Sequence, residues 1–260
     1  MEIQIKKTVK AGNSSAVILP RAWLNREVRI ELIERYPEKI LSDVLEILKE
    51  HIELCKVVGI YLVGSYARGE ENEDSDIDLL VITEGIDKNV EEGIYSLTLI
   101  STELLNKKLE KDILPIGQMI LEARPLLNEY YLKSIIVKIT KKNASPYITS
   151  TKEKISLIKK VLKNIRGDSI DDQVIYTLVL RLRTIGIIES LSKHKIYSKK
   201  DLLFEINSAL GKNFSKDVYE AYLVIKNNQK RKGKAVNINH ALLLLKYLEK
   251  KFEIVKNKVK

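Results

Sequence analysis

Two near-continuous apolar runs stand out along this chain. The first is Val57, Val58, Ile60, Tyr61, Leu62 and Val63; the second is Leu79–Ile82. Runs of this length and β-branched content predict buried strands. Ile94–Ile100 predicts a third. Upstream, Ile40, Leu41, Val44, Leu45, Ile47 and Leu48 recur at helical spacing, and Pro37 suits a first turn, so a helix is expected from Pro37 to about Leu54, packed beneath the sheet. Residues 113–127 read as a helix followed by a short apolar segment, and periodicity leaves 130–139 undecided between strand and helix. Lys141–Pro146 has the composition of a linker.

From Ser150 onward the periodicity is helical. Ile155, Ile158, Leu162 and Ile165 mark one face, and Asp171-Asp172 read as the N-cap of a second helix. Ser198 caps a third, a fourth spans Ser215–Asn227, and a last spans Asn239 to about Val255. About five antiparallel helices follow. The N-terminal stretch reads differently: Ile3 and Ile5 alternate with polar residues, Gly12–Ser15 is a turn cluster and Ala16–Leu19 a brief strand. Pro20 opens a helical turn over Ala22, Trp23 and Leu24, and Val28, Ile30 and Leu32 alternate as another strand.

Composition narrows the class. No apolar run reaches membrane-span length, and the charged N-terminus is unlike a signal peptide, so no membrane role and a cytoplasmic location are expected. The single cysteine, Cys55, cannot form an internal disulfide and is expected to be buried. The 260 residues carry 45 Lys and Arg against 35 Asp and Glu. From Lys226 to Lys260 there are 11 basic and 2 acidic residues, a tail suited to polyanions such as nucleic acid, or to a solvated surface.

The candidate chemistry lies between the first two strands, in GSYARGEENEDSDIDLLV. Strand alternation places Asp76 and Asp78 on one face and Ile77 on the other. Two carboxylates so close repel unless a divalent cation, most often Mg²⁺ beside substrate phosphates, offsets the charge. Gly64 lets a ligand approach the backbone, and the Ser65 hydroxyl and N–H are expected to face the same ligand.

That stretch, Gly-Ser, a connector of about ten residues and Asp-x-Asp, resembles the signature of the DNA polymerase beta-like nucleotidyltransferases in their minimal prokaryotic form. The resemblance covers about Tyr36 to Asn128. It implies an α+β fold: a small mixed β-sheet nucleotidyltransferase domain flanked by helices. It also implies a nucleoside triphosphate (NTP) substrate, a two-metal Mg²⁺ site and transfer of a nucleoside monophosphate to an acceptor hydroxyl, with release of pyrophosphate. By position, Gly64 and Ser65 would hold the triphosphate and Asp76 and Asp78 would ligate the metals as the catalytic pair. Arg68 is a further candidate for a phosphate contact. Such families carry a third carboxylate on the third strand; here Ser96 and Thr98 stand there, with Glu92 and Glu103 as the nearest candidates to substitute.

AGNSSAVILPRAWL and the following VRIEL resemble the AbrB-like swapped-hairpin family, which implies a homodimer and, through Lys6, Lys7, Lys10 and Arg21, DNA contact. Three domains are therefore expected: an N-terminal β-hairpin element over 1–35, a nucleotidyltransferase domain over 36–140 and a C-terminal antiparallel helical bundle over 141–260 that covers substrate or nucleotide. In the bundle, Tyr219 and Tyr222 with Lys226 form a candidate nucleotide-stacking set, or else tyrosines at the edge of the core. The competing reading is an antitoxin-like or regulatory nucleotide- and DNA-binding protein with a degenerate catalytic site; a protein is also a conceivable acceptor.

Overall fold

The structure is a computed structural model that describes residues 6, 8–30, 36–72, 75–231 and 235–259, with the backbone alone at 212 and 213. Val9–Ala11 (β1) and Ser14–Ala16 (β2) pair as a hairpin around Gly12, whose φ is 62°. A single 3-10 turn follows at Arg21–Trp23. The expected strand over Ala16–Leu19 is thus shifted upstream. Residues 26–30 carry no strand, and the rest of the strand expected through Leu32, like Ile3 and Ile5, lies outside the described residues. No described residue before Tyr36 is buried, because strands of three residues have too little side chain to make a core.

Pro37–His51 (α1) begins with proline in its first turn and stops short of the expected Leu54, where a separate 3-10 turn, Leu54–Lys56, leaves Cys55 exposed rather than buried. Val57–Val63 (β3) leads directly into the short helix Gly64–Arg68 (α2). Ile77–Thr83 (β4), Lys88–Glu92 (β5) and Tyr95–Ser101 (β6) follow. The chain continues through Thr102–Lys111 (α3), Ile116–Glu122 (α4), Arg124–Leu127 (β7) and Glu129–Ser134 (α5). The last part is helical: Lys141–Asn164 (α6), Asp172–Ser192 (α7), Lys199–Leu210 (α8), Lys212–Lys226 (α9) and Ile238–Lys258 (α10). One two-residue strand pair, Ser169–Ile170 (β8) with Val236–Asn237 (β9), interrupts it.

The chain forms two compact units. One comprises the described residues of Met1–Leu104 and of Ala123–Ile135; the other comprises those of Leu105–Glu122 and of Ile136–Lys260. In the first, a five-stranded mixed sheet runs in the order β5-β6-β4-β3-β7, with β4 and β6 parallel and the other pairs antiparallel. This is the expected α+β class with a small mixed sheet. The apolar stripe of α1 (Ile40, Val44, Ile47, Leu48) packs on one face of the sheet, against Ile60, Leu62, Ile77, Leu79 and Val81. Each such side chain, once buried, contributes roughly 1.5–3 kcal/mol. The strand β5 was not expected, since Val90 is its one buried residue and a polar edge strand leaves little trace in the sequence.

In the second unit, α6–α10 enclose a single core that includes Ile158, Leu178, Leu182, Ile206, Val218, Leu244 and Leu248, as the helical periodicity implied. The linker expected at Lys141–Pro146 is instead the beginning of α6. Thr140 and Asn143 form a capping box there, and the Asn143 side-chain amide donates to the carbonyls of Leu109 and Lys138. These bonds hold the start of a helix that Pro146 would otherwise weaken.

Inside this core Tyr197, 4% exposed, lays its ring against Gly186 and donates its hydroxyl to Glu205 at 3.1 Å. A Cβ at Gly186 would come within 2.6 Å of the ring. Helix propensity favours alanine by about 1 kcal/mol, but overpacking around a tethered ring costs about 1–3 kcal/mol. Gly186→Ala is therefore expected to lower the denaturant midpoint; an unchanged or raised midpoint would show that the ring can yield. Nearby, burial pushes the Glu189 carboxyl up, but Lys193 and Lys251 outweigh it and hold it down at about 2. That stabilisation is complete above the ordinary value of 4.5 and is lost as pH falls toward 2. Unfolding curves of wild type and Glu189→Gln measured from pH 6 down to pH 2 are expected to converge at the acid end.

Candidate active site

The alternation of β4 decides which side chains meet. Ile77 is fully buried on the α1 side of the sheet, so Asp78, half-buried, falls on the opposite face, and Asp76, just before the strand, is exposed. Asp78 pairs in register with Val63, the last residue of β3, and the chain turns at Gly64 with φ 70°. The Asp78 carboxylate rests on the Gly64 α-carbon: a Cβ there would overlap its oxygen and would lie 2.9 Å from its Cγ. The glycine is therefore required twice, by its positive φ and by the carboxylate packed against it.

Beyond Gly64, α2 lasts five residues and ends at Gly69 (φ 65°), where the Glu70 N–H returns to the Ser65 carbonyl at 2.9 Å. Ser65 is half-buried beside the carboxylate-bearing bend. Arg68 closes the helix with its Nε donating to Glu70 Oε2 at 2.9 Å, and both side chains are largely enclosed, at 17% and 10% exposure. Glu70 was not anticipated from the sequence. It gives the expected phosphate-binding arginine a fixed position.

On the other side of β4, Asp78 is in register with Ser96 of β6, and Ser96 with Glu91 of β5. The two positions expected to bear an acid, Ser96 and Thr98, are both half-buried hydroxyls. Glu92 belongs to the opposite face: it pairs with Tyr95, whose hydroxyl donates to Asp43 of α1 at 2.7 Å. Glu103 lies past the far end of β6, in the first turn of α3. Five residue steps along β6 separate Ser96 from Ser101, about 16 Å at the usual strand rise. Neither is placed to complete the pair. Among the described residues no three His, Cys, Asp or Glu side chains converge as a metal-binding group.

The remaining site candidates are in the helical unit. Tyr222 is buried at 4%, stacked on Tyr176 at 5.5 Å and beside Tyr219 at 6.0 Å, so its ring is enclosed in the core and offers no open face to a base. The core-edge reading of these tyrosines fits, and the stacking reading does not. Lys226 is exposed in the last turn of α9. None of the described helices is long and apolar enough to cross a membrane.

Comparison with known proteins bears on the family. The family model of the nucleotidyltransferase domain matches residues 41–204. A protein of Methanocaldococcus jannaschii named "Putative protein adenylyltransferase MJ0126" is 37% identical over 101 residues, which is 37% of this chain and 92% of that protein. Another from the same organism, "Putative protein adenylyltransferase MJ1379", is 51% identical over 47 residues; the match spans 16% of this chain and 47% of the relative, about half its length. Among solved structures, spectinomycin adenyltransferase AAD(9) from Enterococcus faecialis, with ATP and spectinomycin, aligns with 83% of this chain and 99% of its own at 16% identity and a TM-score of 0.43, too low for anything to be carried over from it. A model matching residues 41–204, well over half the chain, shows that the chain belongs to the nucleotidyltransferase domain family.

Proposed function

We propose that this protein is a Mg²⁺-dependent nucleotidyltransferase that transfers adenylate, or another nucleoside monophosphate, from an NTP to an acceptor hydroxyl. The observation that carries the reading is the close approach of Asp78 to Gly64, which sets a carboxylate beside a stretch of backbone bare of side chain. Hard carboxylate oxygens from Asp76 and Asp78, next to a cradle that one Cβ would fill, fit a hard divalent cation carrying phosphates. Asp76 and Asp78 would hold it, and when bound it supplies charge neutralisation for the triphosphate.

Gly64 and Ser65 would seat the polyphosphate chain, and Arg68, steadied by Glu70, would meet one of its oxygens. An acceptor oxygen attacks the α-phosphorus in line. The new O–P bond forms as the bond to the bridging oxygen breaks, and pyrophosphate leaves with the electron pair. The names of the relatives favour a protein side-chain hydroxyl as the acceptor. Tyr222, enclosed in the helical core, leaves the set.

A regulatory nucleotide- or DNA-binding role is the second reading, favoured by Ser96 where an acid was expected and by the exposed Lys6, Lys10 and Arg21. One assay separates the two. Incubated with α-labelled ATP and Mg²⁺, the protein is expected to label an acceptor in a panel of proteins, nucleic acids and small hydroxyl compounds, or to release labelled AMP with water as acceptor; EDTA should stop it. Salt-sensitive DNA binding with no transfer would favour the regulator.

Asp76→Asn should abolish transfer while leaving the circular dichroism spectrum unchanged, since Asp76 is exposed. Retained activity would dismiss the paired aspartates as the cation site. Gly64→Ala should cost at least about tenfold in transfer, together with about 1–2 kcal/mol of stability from the positive φ and the displaced carboxylate. Wild-type rates in that variant would show that the close approach is incidental.

A further inference from the structure

A neutral hydroxyl that attacks phosphorus must give up its proton, and a base positioned to take it typically accelerates the step about 10²–10⁴-fold. Asp76 and Asp78 are already assigned to the cation in the reading above, on which this inference rests. The row that runs across the sheet through Asp78 supplies another group. Asp78 on β4 is in register with Ser96 on β6, and Ser96 with Glu91 on β5, so all three side chains stand on one face. The Glu91 carboxylate extends over the middle strand to the Ser96 hydroxyl, which donates to its Oε1 at 3.4 Å, a long hydrogen bond.

Ser96, small and half-buried, stands between an acid on each flanking strand, with a strand spacing of about 4.8 Å on either side of β6. Glu91 is exposed and can be met from solvent by an incoming acceptor. Its neighbour Glu92, one residue along, is on the other face with Tyr95.

We infer that Glu91 is the catalytic base for this transfer, receiving the proton of an acceptor hydroxyl held over Ser96. The acceptor O–H bond breaks toward the Glu91 carboxylate while the same oxygen bonds to the α-phosphorus. The phosphorus–bridging-oxygen bond breaks, and pyrophosphate carries away the electron pair. Ser96 is a positioning residue: its hydroxyl orients the carboxylate.

The test is the labelling assay above, counting both labelled acceptor and free AMP, run with Glu91→Gln, Glu92→Gln and Ser96→Ala. Binding of Mn²⁺ and of a nonhydrolysable ATP analogue is measured alongside by calorimetry. Glu91→Gln should lower kcat about a hundredfold or more, with KM for ATP and both binding affinities within twofold of wild type. Glu92→Gln, which makes the same charge change on the opposite face, should keep wild-type kcat. Ser96→Ala should lower kcat about two- to tenfold. Wild-type kcat in Glu91→Gln would overturn the inference and leave the proposed function standing. Loss of Mn²⁺ affinity in that variant would overturn it in favour of a cation ligand. A wild-type protein that transfers label neither to an acceptor nor to water would bring down the proposed function and this inference together.

Discussion

The register of β4 is the constraint from which the rest of the site follows. Ile77 is fully buried against α1, and strand periodicity then places Asp78 on the other face. A slip of one residue would drive Asp78 into the apolar layer beneath the sheet, at several kcal/mol for an unpaired carboxylate. The same register sets Asp78 opposite Val63, and so against Gly64, on one side and opposite Ser96 on the other. Fold and candidate chemistry are therefore specified by the same apolar residues.

The bend after β3 shows a similar economy. Gly64 gives up its side chain to make room for a carboxylate, and Gly69 ends the helix one and a half turns later in a left-handed conformation. Between them Arg68 is anchored by Glu70 at modest exposure. A guanidinium fixed through one nitrogen loses less rotamer freedom when an anion arrives than a freely moving one does. Positioning of this kind suits phosphoryl transfer, in which the protein contributes orientation and charge more than covalent chemistry.

Much of this was legible in the sequence, for identifiable reasons. The strands through Ile60 and Leu79 and the long amphipathic helices announce themselves because burial imposes periodicity on many residues at once. The Asp171 and Ser198 caps were equally readable, since capping is local chemistry. What escaped depended on partners distant in sequence. Lys141–Pro146 has a linker's composition, and only the carbonyls of Leu109 and Lys138, bound by Asn143, make it helical. Strand β5 is held by its neighbour rather than by its own apolar content. Glu91 could be found only once Ser96 was known to lie beside it. Tyr222 looked like a binding residue on a helical wheel, but Tyr176 from α7 closes over it.

The path of the backbone between the two units has one further consequence. The segment Leu105–Glu122 belongs with the helices although β7, which follows it, returns to the sheet. Leu105, Ile113, Ile116 and Ile120 on that segment are all buried. The helical unit is thus assembled from two stretches of chain that β7 and α5 keep apart in sequence, and contacts such as that of the Gln118 side-chain amide, which donates to the Tyr197 carbonyl at 2.6 Å, hold them together.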